Sequence, residues 1–206
     1  MVSKTLLQTA VEQFGKLGFE GASTRDIARA SGTAMSSITY HFGGKEGLYL
    51  AAADHIAESI AVFQMPVLKV ALETGTASPQ AAREAILRIL DNMAMMMLAP
   101  QSEDWSRFII REQQAPTEAF DRLYRGIMIH VVEAMMTLMR LVRPDLDDTN
   151  LRATGILMFG QAMVLRAGRA SILRAMEVDA IDADLAALLR ARLRANLLCI
   201  LSEKPE

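Results

Sequence analysis

No stretch of this chain alternates apolar and polar residues between turn clusters, whereas apolar residues recur at three- and four-residue spacing almost throughout. That spacing puts them on one face of a helix, so the core must form by packing helix on helix. Leu6, Leu7, Ala10, Val11, Phe14 and Leu17 make the first stripe, with Ser3 as its expected N-cap and Gly18 as its end. Short helices follow from about Thr24 to Ala30, ended by Gly32, and from about Met35 to Phe42, ended by Gly43-Gly44. A fourth starts at Lys45 and carries Leu48, Tyr49, Ala52, Ile56, Ile60 and Phe63, and Pro66 is expected to kink or end it. After a turn at Thr74 to Ser78 the helices lengthen. They run from Pro79 to about Leu98 behind a Ser78 cap, from a Ser102 cap to Gln114, and from Pro116-Thr117 to Val142. The last two run from Asp148 to Met176, behind an acidic start, and from Asp182 to Ser202. The fold class is all-α, with about nine helices expected from the stripes.

At 206 residues and 51% hydrophobic, the chain can bury a full core, in one compact domain or two small ones. The single cysteine, Cys199, excludes a disulfide framework within one chain and a cysteine-built metal site, and points to a reducing compartment. Its place on a late apolar face reads as a small hydrophobe rather than a nucleophile. No early apolar run resembles a signal peptide, and charges interrupt the long apolar stretches, so a cytoplasmic protein with no membrane partner is expected. The net charge of -2 excludes a generally polybasic nucleic-acid coat but not a small DNA-reading module. Charge is uneven: residues 1–50 hold five Lys/Arg against four acids, the remainder 17 against 20.

Residues 23–33 form two turns of helix and a tight turn, and residues 34–42 form a second short helix. This is the arrangement of a helix-turn-helix, whose second helix enters the DNA major groove. Ile27, Ala28, Ile38 and Phe42 can face inward together, leaving Met35, Ser36, Ser37, Thr39 and Tyr40 outward. Small hydroxyl side chains let the backbone approach closely and bond to base edges or phosphates. Lys45 opens the next helix, where its ammonium and the free N–H groups suit a phosphate. The same pattern can also be a capped helical corner that never touches DNA.

Phe14, Gly18, Phe19, Thr24, Arg25, Ile27, Ala28, Gly32, Tyr40-His41-Phe42, Lys45-Glu46 and Leu48 resemble the amino-terminal signature of the TetR family of transcriptional regulators. Ala34 stands where the family usually has a capping serine, with Thr33 as a possible substitute cap, and Thr39 where it often has tyrosine. Residues 105–117 and 166–174 are similar to the CecR-like branch of that family. The resemblance implies a DNA-binding domain at residues 1–47 and a ligand-binding and dimerisation domain at 48–206. It implies that Arg25, Met35, Ser36, Ser37 and Thr39 face bases and that Thr24, Tyr40, His41 and Lys45 face phosphates. It further implies a repressor that binds a palindromic operator as a homodimer and is released by a small apolar or drug-like effector.

The residues themselves offer a place for that effector. Met93, Met96 and Met97, then Trp105 and Phe108, then Tyr124, Met128, Met135 and Met139 fall on successive helices. Methionine adapts to irregular apolar ligands, although a methionine stripe is also ordinary core. The expected lining is Met97, Trp105, Phe108, Arg111, Tyr124, Met128 and Phe159, with Arg111 and Glu112 the polar groups that orient a ligand or else a structural ion pair. An all-helical enzyme using that cavity is the alternative, but no catalytic set accompanies it. His130 and Glu133 stand three residues apart, too few for a metal site, and Gly43-Gly44-Lys45-Glu46 lacks the elements of a phosphate loop. No cofactor or metal is expected. Ile156, Leu157, Gly160, Met163, Val164 and Ala167 form one broad apolar face near the end, and Leu185, Leu188, Leu189, Arg192, Leu193 and Leu197 another. Two such helices from each of two subunits make a four-helix dimer interface, the family's usual contact.

Overall fold

The computed structural model describes residues 4–202, so the Ser3 cap lies outside the described residues. Every regular element among them is helical. α1 (Lys4–Gly21) departs from helical geometry at Gly18, where the sequence places its end. α2 (Thr24–Ala30) and α3 (Met35–Phe42) are the two short helices. α4 (Lys45–Gly75) runs 31 residues with Pro66 inside it. Proline removes a single N–H from the ladder, here the donor for the Val62 carbonyl, and the helix continues to Gly75 without it. α5 (Pro79–Leu98), α6 (Ser102–Gln114) and α7 (Glu118–Leu123) follow, then a π turn (Tyr124–Met128) leading into α8 (Ile129–Val142). α9 (Asp148–Ala167), α10 (Arg169–Ala175) and α11 (Ala183–Ser202) complete the described chain.

The all-α expectation holds, with finer division than the stripes imply. The stretch to Val142 contains the π turn, and the stretch from Asp148 breaks at Gly168, where the axis turns by 75°. Ser78 caps α5 by accepting from the Ala81 N–H at 3.1 Å, and Asp147 caps α9 by accepting from Asn150 at 2.8 Å. Ser102 does not cap α6. Its hydroxyl donates to the carbonyls of Met97 and Ala99, at 3.2 and 2.8 Å, at the end of α5.

The chain divides into two compact units, Met1–Ala61 with Glu103–Ile129, and Val62–Ser102 with His130–Glu206. In the first, Leu6, Ala10, Phe14, Ile27, Ile38, Leu48, Ala52 and Phe108 are essentially shielded from water. Burying each large side chain contributes about 1.5–3 kcal/mol, so α2 and α3, with one fully buried isoleucine each, depend on α1 and α4 for their stability. In the second unit α5 packs against α9 and α11, and Met93, Met97, Met135, Met139 and Met158 are buried core residues. Asp91 pairs with Arg190 through two contacts of 2.6 and 2.7 Å, and Glu84 with Arg194 at 2.9 Å, both joining α5 to α11. Arg166 is buried and donates to the carbonyls of Met97 (2.8 Å) and Ala99, supplying a cation to the carboxyl end of α5. Cys199 on α11 is exposed, not the core hydrophobe the sequence pattern suggests.

Candidate nucleic-acid interface

Ile27 and Ile38 are fully buried and Ala28 nearly so, and they hold α2 and α3 on the rest of the first unit. Phe42, expected inside with them, is half-buried. The turn between the helices is closed by its own backbone. Thr33 donates its N–H to Ala28 O at 2.9 Å, and the Ser31 hydroxyl donates to Ile27 O (2.8 Å) and Ala28 O (3.2 Å). These bonds leave the outer face of α3 to solvent. Ser36, Thr39 and His41 are exposed, Met35 is 45% exposed, and Tyr40 is 85% exposed, an unusual position for a large aromatic in water. Thr24, Ser37 and Lys45 are half-buried.

Two arginines on α2 differ in a useful way. Arg29 is paired with Asp26 at 2.7 Å, which offsets its charge locally. Arg25 is exposed and makes no hydrogen bond or ion pair among the described residues, so its fork of donors is available.

The start of α3, beside this face, is open. Ala34 is the N-cap of α3 and provides no side-chain cap; Thr33 contributes its backbone N–H to Ala28 O, and its hydroxyl makes no bond to the first turn of α3 among the described residues. The N–H groups of Met35 and Ser36 therefore keep their capacity to donate to an anion, while that of Ser37 is bound to Ala34 O at 2.9 Å. At α4, Gly43 takes a left-handed conformation (φ 74°) and Gly44 an unusual one (φ 128°), which turns the chain from α3 into α4 within two residues. Gly47 lies so close beneath that a Cβ there would stand 1.8 Å from the Phe42 carbonyl oxygen.

Lys45 has a second task that its position at a helix start does not reveal. Its Nζ donates to Glu20 O at 3.1 Å and sits 4.8 Å from the centre of the Phe19 ring, tying the start of α4 to the end of α1. An ammonium carries three donors, so two remain for a phosphate.

Behind this face stands an aromatic cluster. Phe14 and Phe19 both meet the Tyr49 ring edge-on, at 4.8 and 5.1 Å, and Phe108 of α6 stacks on it at 4.5 Å. The Tyr49 hydroxyl donates to Glu112 Oε1 at 2.6 Å. Glu112 Oε2 accepts from Thr117 N–H (3.0 Å), the Thr117 hydroxyl (2.9 Å) and Phe120 N–H (3.1 Å), so this buried carboxylate caps the start of α7. Burial first, then the bond to Glu112, holds the Tyr49 phenol well above its ordinary range. The neighbouring Arg111 donates to Gly15 O (3.1 Å) and Lys16 O (3.0 Å), carbonyls stranded where α1 breaks at Gly18. Arg111 and Glu112 thus serve two opposite helix ends, a cation at the carboxyl end of α1 and an anion at the amino end of α7. Farther along α4, Asp54 holds Arg122 of α7 at 2.7 Å.

The residues expected to line an effector site fall in both units. Trp105, Phe108, Arg111, Tyr124 and Met128 belong to the first, and Met97 and Phe159 to the second. Met97 and Phe108 are buried, Trp105, Met128 and Phe159 half-buried, and Tyr124 and Arg111 exposed. Among the described residues no three His, Cys, Asp or Glu side chains come together as a metal site would need. Sequence reasoning missed the Tyr49–Glu112 bond and the cap that Arg166 provides. A buried charge beside a helix end is the only signal for either, and it requires knowing which helix end is near.

Comparison with known proteins agrees with this geometry. Residues 6–52 match the model for bacterial regulatory proteins of the tetR family, and residues 82–203 match that for the C-terminal domain of the HTH-type transcriptional dual regulator CecR. The HTH-type transcriptional dual regulator CecR of Shigella flexneri is 33% identical, over 96% of this chain and 90% of that protein. Among solved structures, the regulator FadR of Bacillus subtilis, in complex with stearoyl-CoA, is 14% identical and covers 98% of each chain with a TM-score of 0.66. AibR, in complex with isovaleryl coenzyme A and operator DNA, is 13% identical over 94% of this chain and 96% of that one, with a TM-score of 0.68. Likeness at that identity shows the fold. The near-full-length relative and the two family models show more: this chain is a DNA-binding transcriptional regulator of the TetR family, not an enzyme.

Proposed function

We propose that this regulator binds a two-fold symmetric operator as a homodimer and is released from it by a small effector. In this reading residues 1–47 carry DNA binding and residues 48–206 carry effector binding and dimerisation, and the protein acts in the cytoplasm, where its operator lies. The observation that carries the DNA half is the exposed face of α3, with Tyr40 85% exposed and Met35, Ser36 and Thr39 beside it. Arg25, Met35, Ser36, Ser37 and Thr39 read bases, and Thr24, Tyr40, His41 and Lys45 hold phosphates. Structural neighbours bound to acyl-CoA, one of them also on operator DNA, support a small-molecule effector as the releasing signal. Exposed Ile156, Leu157 and Val164 on α9 support a second copy as the covering partner.

Footprinting of the DNA beside the chain's own gene tests the proposal. Two protected half-sites should appear about one helical turn apart, roughly 34–36 Å, or a multiple of it. Lys45→Ala should weaken binding to every sequence and shallow the salt slope by about one unit, whereas Arg25→Ala should relax preference at one base pair. Unchanged affinity and slope for Lys45→Ala would remove the phosphate assignment.

A further inference from the structure

We propose that Gln64 is the polar contact of an effector site inside the second unit, and that the effector is an uncharged, largely apolar molecule carrying a hydrogen-bond acceptor oxygen. The proposal rests on the reading that an effector regulates this chain, and it names the class. Gln64 of α4 is completely buried. Its Oε1 accepts from Asn92 Nδ2 of α5 at 3.1 Å, and the same Nδ2 donates to Phe63 O at 3.2 Å. A carbonyl can only accept, so the Asn92 atom facing Phe63 is the nitrogen, and the Gln64 atom facing that nitrogen is the oxygen. The orientation of the Gln64 amide is therefore set, and its Nε2 points away with no partner among the described residues. An amide nitrogen left so in an apolar interior costs about 1–3 kcal/mol, a cost that an acceptor brought by a ligand removes.

Helical register supplies the apolar neighbours of Gln64 and Asn92 on the two helices. Leu68 and Ala71, on the same side of α4, and Ile89 and Met93, each within one turn of Asn92 on α5, are all buried apolar residues. The charge beside Asn92 is already paired, Asp91 being bound by Arg190 at 2.6 and 2.7 Å. Farther along α5, Arg166 is bound to the carbonyls at its end. Among the described residues the other buried side-chain nitrogen without a partner, Arg83 Nε, lies nine residues before Asn92 on α5, about 13.5 Å along the axis and half a turn around it. The donor that Gln64 offers is neutral, and a carboxylate or ammonium brought beside it would go uncompensated.

The test uses the full chain and a series of N,N-dimethyl alkanamides from butanamide to dodecanamide, beside alkanoates and alkylamines of matching length. Calorimetry should find at least one amide bound about tenfold more tightly than its matching acid and amine. Gln64→Met keeps the length of the side chain and removes the donor, so it should lose about tenfold in amide affinity, close to 1.4 kcal/mol. Gln64→Glu, which turns the donor into an acceptor, should shift preference toward the amine and keeps the test alive if the methionine variant folds poorly. The Gln64 side-chain amide signals in a ¹⁵N spectrum, identified by their loss in the variants, should move when the amide binds. Binding of the acid or amine over every amide, binding of no amide, or equal amide affinity in Gln64→Met and the parent would each overturn the proposal. Operator affinity measured on the same samples separates the two readings: operator binding with no amide response defeats only the effector class, whereas absent operator binding defeats the function.

Discussion

Glu112 keeps its carboxylate inside the protein because donors from α4 and from the start of α7 reach both of its oxygens. Tyr49 is the member of that set whose chemistry can be followed by pH. Burial and Glu112 both favour the neutral phenol, so folded Tyr49 holds its proton above the ordinary value of 10.0 that it has when unfolded. Its contribution to stability is then whole below about pH 10 and declines as pH climbs toward the raised folded value. Urea unfolding from neutral to strongly alkaline pH should show the parent losing stability above about pH 10 more steeply than Tyr49→Phe. At neutral pH the substitution should cost about 2 kcal/mol, the worth of a hydrogen bond to a charged group. Parallel curves would mean that the phenol is not held neutral by its surroundings. Arg111 and Glu112 are visible in the sequence as candidate polar groups, but their work is not. Arg111 serves carbonyls 95 and 96 residues away, which carry no side-chain signature at all.

The corner between α3 and α4 sets where the reading helix stands. A Cβ at Gly47 would meet the Phe42 carbonyl oxygen at 1.8 Å, and that oxygen is backbone and cannot rotate away. Gly47→Ala should therefore cost about 3 kcal/mol or more and abolish operator binding, read by thermal unfolding and fluorescence anisotropy. Operator affinity within twofold of the parent would show that the corner tolerates a wider angle. Helix positions were legible because apolar spacing reports each buried face directly, as Leu6–Ala10–Phe14 does for α1. Interruptions were less so. The π turn at Tyr124–Met128 adds a residue without changing which residues are apolar, and Pro66 has the composition of a stop without acting as one. The break at Gly168 falls on a glycine inside an otherwise periodic stretch, where spacing alone favours continuity.

For the whole molecule, α9 presents Ile156, Leu157 and Val164 to solvent, exposed by 63, 71 and 51%. Leu193 and Leu197 of α11, expected on the same interface, are instead buried within the chain. A side chain at Gly160 meets nothing within 4 Å, so Gly160→Glu can be accommodated by a single chain. In a dimer packed through α9 the new charge would be buried unpaired. Sedimentation should show the parent as a dimer at micromolar concentration and Gly160→Glu as a folded monomer that no longer binds operator. A monomeric parent, or a dimer that survives the substitution, would move the contact elsewhere. The sequence carries both apolar faces but not which leucines of α11 turn inward: Leu193 and Leu197 are buried while Leu188 is 44% exposed, because both faces of that helix are rich in leucine and alanine and only the packing partner distinguishes them.

Gly43 and Gly44 have no atom within 4 Å of where a side chain would begin, yet both hold backbone angles that other residues resist. Any single-base change in a glycine codon that alters the amino acid introduces a Cβ. Selection for mutants that no longer regulate should therefore return these two codons as readily as those for base-reading residues. A map of such mutants, taken as a map of contacts, would assign DNA recognition to positions whose defect is a dihedral angle.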